Sequence, residues 1–181
     1  MSVIRQEDQM IQNTLADSIW KVAEYAKDTI DSQKLKRLLK RGMKVGKNFY
    51  FSNSAEMDAV RPDLISFGDD SGISTRVKIF THDSSTKKDL GVARFAEVIV
   101  GNNVYIGSGV IILPGTKIGD NVIIAAGSVV KGIVESNSVY VGVPARKIMD
   151  YDKYIAKEKE SYKKYGRDPY YINGIKHFYD D

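Results

Sequence analysis

Val100-Gly-Asn-Asn-Val-Tyr-Ile106-Gly-Ser-Gly-Val-Ile-Ile112-Leu-Pro-Gly-Thr-Lys-Ile118-Gly-Asp-Asn-Val-Ile-Ile124-Ala-Ala-Gly-Ser-Val-Val130-Lys-Gly-Ile-Val134 is the stretch that decides the fold. Val100, Ile106, Ile112, Ile118, Ile124 and Val130 stand six residues apart, and four places after each comes Val104, Val110, Thr116, Val122, Ser128 and Val134. A helix repeats its apolar face near 3.6 residues and a strand at 2, so neither produces this register. A strict period of six requires a chain that turns a corner every sixth residue, which is a parallel β-solenoid. Three hexads close a triangular coil of about eighteen residues, and coils stack at the strand spacing of about 4.8 Å. Asn103, Gly109, Gly115, Asn121 and Gly127 hold the fourth place of their hexads. Glycine and asparagine tolerate positive φ most cheaply, so these are read as corners.

The register continues upstream. Phe67, Ile73 and Ile79 are six apart, with Ser71 and Val77 four places on, and Val45, Phe51 and Met57 keep the spacing more loosely. The phase breaks between Met57 and Phe67, where Arg61-Pro62 stands. Between Ile79 and Val100 lie twenty-one residues, eighteen plus three, so a segment at about 83–97 leaves the wall as an excursion loop. Loops of that length carry function more often than not.

The ends lack the period. Ile11, Leu15, Ile19, Val22 and Ala26 share one face of a helix. A second helix starts at the Asp31-Ser32 caps, carries Leu35, Leu38 and Leu39 and stops at Gly42. Asp150 to Tyr165 reads as another, with Tyr151, Tyr154, Ile155 and Tyr162 on its apolar side and Gly166 at its end. The expected organisation is an N-terminal helical segment over 1–42, a β-helix over 43–148, and a C-terminal helix and tail over 149–181. The helical ends are expected to cap the open edges of the solenoid.

The chain has 181 residues, 43% of them hydrophobic, which suits one domain of ordinary size. It has no cysteine, which removes thiolate metal sites and cysteine nucleophiles and suits a reducing compartment. The polar N-terminus carries no secretory signal, and a cytoplasmic location is expected. Residues 98–116 are uncharged, but the run contains Asn102, Asn103, Ser108 and Pro114 and its apolar residues keep the hexad phase. It reads as solenoid wall, and no membrane span is expected. The net charge of +4 comes largely from lysine-rich helices such as Lys34-Leu-Lys-Arg-Leu-Leu-Lys-Arg, and no nucleic-acid motif accompanies them. Gly107-Ser-Gly sits inside the repeat without the third glycine of a dinucleotide loop, and Gly42-Met-Lys-Val-Gly-Lys-Asn lacks the spacing of a P-loop.

Two histidines are present, His82 and His177. His177 lies in the tail, whereas His82 holds the fourth, corner place of the hexad Ile79-Phe-Thr-His-Asp-Ser, directly before the excursion. An imidazole there suits removal of a proton from a hydroxyl at neutral pH. A three-histidine zinc centre needs more histidines than the wall holds, so no metal is expected.

Asp63-Leu-Ile-Ser-Phe-Gly-Asp-Asp, Ile79-Phe-Thr-His-Asp-Ser-Ser-Thr-Lys-Lys-Asp-Leu-Gly, Val104-Tyr-Ile-Gly-Ser-Gly, Ile111-Ile-Leu-Pro-Gly-Thr-Lys-Ile-Gly-Asp, Ala126-Gly-Ser-Val-Val and Val141-Gly-Val-Pro-Ala-Arg occur in this order. Together they resemble the hexapeptide-repeat acyltransferases, within them the maltose, galactoside and polysaccharide O-acetyltransferase branch. The resemblance covers about residues 45–150. It implies a left-handed parallel β-helix, a homotrimer, and acetyl-CoA as cosubstrate between neighbouring subunits. The implied activity is acetyl transfer to a sugar or polysaccharide hydroxyl, with amino-sugar N-acetylation and a non-catalytic trimeric scaffold as alternatives. By the same resemblance His82 is the general base, Asp58 or Asp83 its supporting acid, and Asn53 and Arg61 acceptor contacts. Tyr105, Ser108, Ala126, Lys131 and Arg146 match cofactor-binding positions. Two departures stand out. The family's Thr-Lys-Asp-Ile-Pro after the last hexad is replaced by Lys131-Gly-Ile-Val-Glu, and Arg61-Pro stands where the branch often has a histidine.

Overall fold

Residues in the left-handed conformation turn this chain at its corners. Gly109, Gly115 and Gly127 have φ between 70° and 82°, and Asn48, Asp70, Arg76, Asn103, Asn121 and Asn137 have φ between 51° and 57°. Between corners the side chains alternate in and out over strands of two or three residues. The computed structural model describes residues 33–165. The helix expected through Ile11 to Ala26, the Asp31-Ser32 caps and the tail with His177 lie outside those residues.

Helix α1 (residues 33–40) leads into β1 (Tyr50–Phe51), β2 (Glu56–Met57), a one-turn helix at Pro62–Leu64 and β3 (Ile65–Phe67). The second coil is β4 (Gly72–Ile73) and β5 (Lys78–Ile79), followed by the ribbon strand β6 (His82–Asp83), helix α2 (Lys87–Leu90) and the returning β7 (Arg94–Phe95). Strands β8 (Val98–Val100), β9 (Val104–Ile106), β10 (Ile111–Ile112), β11 (Lys117–Ile118), β12 (Val122–Ile124), β13 (Val129–Val130) and β14 (Ile133–Val134) complete the wall. Then come β15 (Ser138–Gly142), β16 (Ala145–Asp150) and helix α3 (Tyr151–Tyr165).

The strands stack into three faces. Face I is β1-β4-β9-β12-β15-β16, face II is β13-β10-β5-β2 and face III is β14-β11-β8-β3, and within the solenoid every pairing is parallel. Ile106 pairs with Ile124, eighteen residues on. Ile79 pairs with Ile112, thirty-three residues on, which exceeds one regular coil by fifteen, and Phe51 pairs with Ile73, twenty-two on, which exceeds it by four. Those two surpluses are the excursion after His82 and the insertion between Met57 and Phe67.

The inward residues make a continuous core: Ile73, Ile79, Ile106, Ile112, Ile124, Val77, Val104, Val110 and Val122 are all fully buried. Where the second inward place is polar, its hydroxyl returns to the corner behind it. Thr116 Oγ1 donates to the Leu113 carbonyl at 2.6 Å and Ser128 Oγ to that of Ala125 at 2.7 Å. Buried polar atoms are tolerated when satisfied in this way. Coils approach so closely that a Cβ at Gly101 would lie 2.4 Å from an Asp120 carboxylate oxygen.

The caps differ from their sequence reading in detail. Below, Leu35 and Leu38 of α1 pack with Met43 and Phe49 against the first coil. Lys34 Nζ donates to the Asn53 carbonyl at 3.0 Å and to that of Ala55, closing the lowest edge. Above, the wall does not keep its period to residue 148. Val134 pairs with Ile118, so it takes the first place of a hexad rather than the fifth, and the last coil is shortened from eighteen residues to sixteen. The shortening falls at Gly132 (φ 81°), in the Lys131-Gly-Ile-Val segment that departs from the family pattern. The chain then reverses through Val143-Pro144, and β16 pairs antiparallel with β15, covering the upper edge of face I. Among the described residues no helix is long and apolar enough to cross a membrane.

Candidate functional site

Both interruptions of the repeat fall at one corner, between faces II and III. The four-residue surplus follows Met57, so Asp58 leaves β2 where a regular coil would turn. Its side chain folds inward instead of facing solvent and is 1% exposed. Val60 N–H donates to Oδ1 at 2.8 Å and Thr81 N–H to Oδ2 at 2.8 Å. One coil above, His82 begins the fifteen-residue surplus. Its expected corner conformation is not adopted: His82 lies in the extended strand β6, paired antiparallel with β7, because the chain runs outward there instead of turning.

His82 Nδ1 lies 2.5 Å from Asp58 Oδ2. Burial pushes the Asp58 carboxyl toward its neutral form. The backbone N–H groups of Thr81 and Val60 and the His82 ring outweigh that and hold it far below the usual carboxylate range. An ionised carboxylate only accepts, so the proton in this contact is on Nδ1, and a neutral ring in this tautomer carries its lone pair on Nε2. The imidazole is 31% exposed. Its flat side rests on Phe95, across the ribbon, with ring centroids 5.7 Å apart and planes inclined by 29°. An imidazole oriented in this way and partly exposed can remove a proton from a hydroxyl.

Asp83 is turned away from the ring. Its Oδ1 accepts the Ser85 N–H at 2.9 Å, and that bond chiefly lowers its pKa, with Arg94 and Lys131 adding positive field. The acid placed on His82 is therefore Asp58, twenty-four residues away in sequence. Arg61 belongs to the same corner: its guanidinium forks onto Asp63, Nε to Oδ1 at 2.8 Å and Nη2 to Oδ2 at 2.6 Å, and its carbonyl accepts the Thr81 hydroxyl at 3.3 Å.

The remaining candidates lie elsewhere in the chain. Asn53, Ser108 and Ala126 stand at the corner between faces I and II, where Ser108 Oγ meets Ser74 Oγ at 2.8 Å and Thr75 Oγ1 at 3.0 Å. Beside them Gly109 and Gly127 would have nothing within 4 Å of an added Cβ, so this corner is smooth and open. Tyr105 is half-exposed on the outside of face I, in register with Gly72 and Ile123. Arg146 lies on β16 opposite Val141, and its guanidinium donates to the neighbouring Ala145 carbonyl at 3.0 Å. Lys131 is exposed at the faces II and III corner and forms no ion pair among the described residues. Asn53, Ser108 and Ala126 thus sit at the opposite edge of face II from His82, whereas Lys131 shares the His82 edge, and six extended residues separate such edges by at most about 20 Å.

Thr81 and Phe95 were not among the candidates from sequence. Phe95 is signalled only by its place opposite His82 once the ribbon is paired, and Thr81 only by being a buried residue at a hexad place that is exposed in most other coils.

The family model "Bacterial transferase hexapeptide (six repeats)" matches residues 97–132. Protein CapG of Staphylococcus aureus is 37% identical over 130 residues, covering 69% of this chain and 76% of that one. The galactoside O-acetyltransferase of Escherichia coli K12 is 35% identical over 116 residues, covering 61% of this chain and 56% of that one. The chain spans 52 to 58% of the length of three curated relatives, the galactoside enzyme among them. Among solved structures, a maltose O-acetyltransferase from Clostridium difficile 630 superposes with a TM-score of 0.55 at 26% identity, covering 72% of this chain and 84% of that one. The repeat, its stacking and these likenesses agree: the chain belongs to the hexapeptide-repeat acyltransferases, and its wall is their left-handed parallel β-helix.

Proposed function

We propose that this chain is an acetyltransferase that moves the acetyl group of acetyl-CoA to a hydroxyl of a sugar or polysaccharide, with His82 as general base. The observation that carries this reading is the buried Asp58 carboxylate 2.5 Å from His82 Nδ1, with the imidazole partly open to solvent. A scaffold has no use for an ionised carboxylate placed under a histidine, because burying one is costly unless it is well paired. The names of the relatives, galactoside and maltose O-acetyltransferase, favour a sugar hydroxyl over an amine. Acetyl-CoA supplies a thioester carbonyl open to attack by oxygen.

His82 Nε2 takes the acceptor hydroxyl proton as the oxygen bonds to the carbonyl carbon, and the imidazolium is stabilised by Asp58 through Nδ1–H. As the carbon–sulfur bond breaks, the same proton returns from Nε2 to the sulfur. Asp58 orients the ring throughout and does not exchange protons. Transfer is direct, in keeping with a chain that has no cysteine. The open corner at Ser108 and Ala126 suits the slender pantetheine arm, and Lys131 and Arg146 suit its phosphates. Because that corner and His82 flank opposite edges of face II, the reading includes a homotrimer in which one copy presents its Ser108 corner to the His82 of the next. Asn53 and Arg61 are proposed to touch the acceptor, Tyr105 to line the channel, and the setting is proposed to be cytoplasmic glycan biosynthesis.

The test is thiol release from acetyl-CoA across a panel of sugars, amino sugars included, with His82→Ala alongside. Release that depends on a neutral sugar and disappears in the variant supports the reading. Turnover confined to amino sugars transfers it to N-acetylation, and turnover unaffected by the substitution removes His82 as base.

A further inference from the structure

We propose that Thr81 is the positioning residue of the His82–Asp58 pair, the point where both interruptions of the repeat are tied to one carboxylate. The inference rests on the reading of His82 as base. Thr81 has no exposed surface. Its N–H donates at 2.8 Å to Asp58 Oδ2, the oxygen that faces His82. Its hydroxyl donates at 3.3 Å to the carbonyl of Arg61, the residue that leads from the four-residue insertion into the Pro62–Leu64 turn. Its own carbonyl accepts the Ala96 N–H at 2.9 Å, where the excursion rejoins the wall. One buried residue therefore touches the segment that carries the acid and the ribbon that carries Phe95, and it directly precedes the base.

The regular wall shows that this arrangement is particular to the corner. The same hexad place one coil above holds Pro114, which has neither an N–H nor a hydroxyl to give. In the other regular hexads the place is taken by the exposed residues Asp69, Thr75, Asn102, Asp120 and Ala126 and by the half-buried Ser108. Without the Thr81 hydroxyl the Arg61 carbonyl keeps only the Leu64 N–H, 3.1 Å away within its own turn, and the tie from the insertion to the strand below His82 is lost. A shift of a fraction of an ångström there moves Asp58 relative to Nδ1, and catalytic geometry is sensitive on that scale.

Thr81→Val keeps the volume and removes the hydroxyl, while Thr81→Ser keeps the hydroxyl. The readouts are kcat and KM in the thiol-release assay, the downfield N–H proton resonance of the imidazole, and the melting temperature. For Thr81→Val we expect kcat on the order of tenfold lower, an unchanged KM for acetyl-CoA and a displaced imidazole resonance. Thr81→Ser should recover most of the rate and the resonance. A Thr81→Val protein that melts lower but keeps kcat and the resonance below its melting temperature would overturn the proposal, leaving Thr81 a purely structural residue. Should valine not be accommodated, Thr81→Ala is read by the same criteria. His82→Ala in the same assay separates the two ideas. If it retains turnover, the base assignment fails; if it is inactive while Thr81→Val matches wild type, only the role of Thr81 fails.

Discussion

The corner between faces III and I and the corner between faces II and III are built from the same repeat and hold opposite things. At the first, each coil reaches the next through side chains. Lys47 N–H donates to Asp69 Oδ1, Asp69 N–H to Asn102 Oδ1, Asn102 N–H to Asp120 Oδ1 and Asp120 N–H to Ser136 Oγ, at 2.6 to 3.0 Å. A second ladder runs beside it, from Asn103 Nδ2 to Asn121 Oδ1 and from Asn121 Nδ2 to Asn137 Oδ1, both 2.8 Å. Side chains engaged in this way have little left to offer a ligand. At the second corner the regular ladder is absent. Two insertions open the wall there, and the polar groups they bring converge on Asp58 and His82. The repeat is regular where it is structure, and it is interrupted where side chains are left free for chemistry.

That contrast is best broken at its centre. His82→Ala should lower kcat by about 10²- to 10⁴-fold, with little change in melting temperature because the ring is partly exposed; thiol release and thermal denaturation measure the two. Asp58 should affect both. Asp58→Ala strands two buried N–H groups, of Val60 and Thr81, and should cost about 3 kcal/mol in denaturant titration as well as most of the activity. Its carboxyl is held low in the folded chain, so the stability it confers is present above the unfolded carboxylate value of about 3.9. That stability is lost as pH falls through the lower, folded value. A melting curve against pH should therefore fall more steeply below about pH 4 in wild type than in Asp58→Asn.

The laddered corner should answer in stability alone. Asn121→Ala removes two amide bonds and puts a Cβ-bearing residue without a compensating side chain at φ 54°, and should cost about 2 kcal/mol with kcat unchanged. Asn121→Gly keeps the backbone freedom and should cost roughly half as much. Gly109→Ala, at the open corner, meets no neighbour and carries only the φ penalty, about 1 kcal/mol. Its sharper readout is KM for acetyl-CoA, which should rise if the pantetheine arm lies there. An Asn121→Ala variant that lost activity without losing stability would erase the distinction between the corners.

Much of this was legible in the chain itself. The phase of Val100 to Val130 named the inward residues, and the fourth-place Asn and Gly named the corners, because a left-handed turn is a local demand that a few residue types meet. The phase break after Met57 was readable as arithmetic, and so was the place of the excursion after Ile79, but its remainder of three there became a surplus of fifteen once Ile79 was paired with Ile112. The corner at Val134 was not: a period cannot announce its own shortening, and only pairing with Ile118 shows that the last coil lost two residues. Nor could the antiparallel turn of β16 onto β15 be read, since the apolar residues of Val141 to Ile148 satisfy a parallel or an antiparallel edge equally.

The same division holds at the site. Sequence by itself placed His82 directly before the excursion, and the family resemblance put Asp58 forward as the acid with Asp83 as a second candidate. Only the tertiary structure chose between them. Asp83 is the neighbour in sequence, but in extended strand β6 successive side chains point to opposite sides, which sends its carboxylate to Ser85. Asp58 is twenty-four residues away, and the stacking of one coil on the next brings it to 2.5 Å from the ring. A repeat fixes which residues face inward because that depends on the chain's own period. Which residues meet across coils depends on how many residues each coil contains, and that is settled only when the coils are stacked.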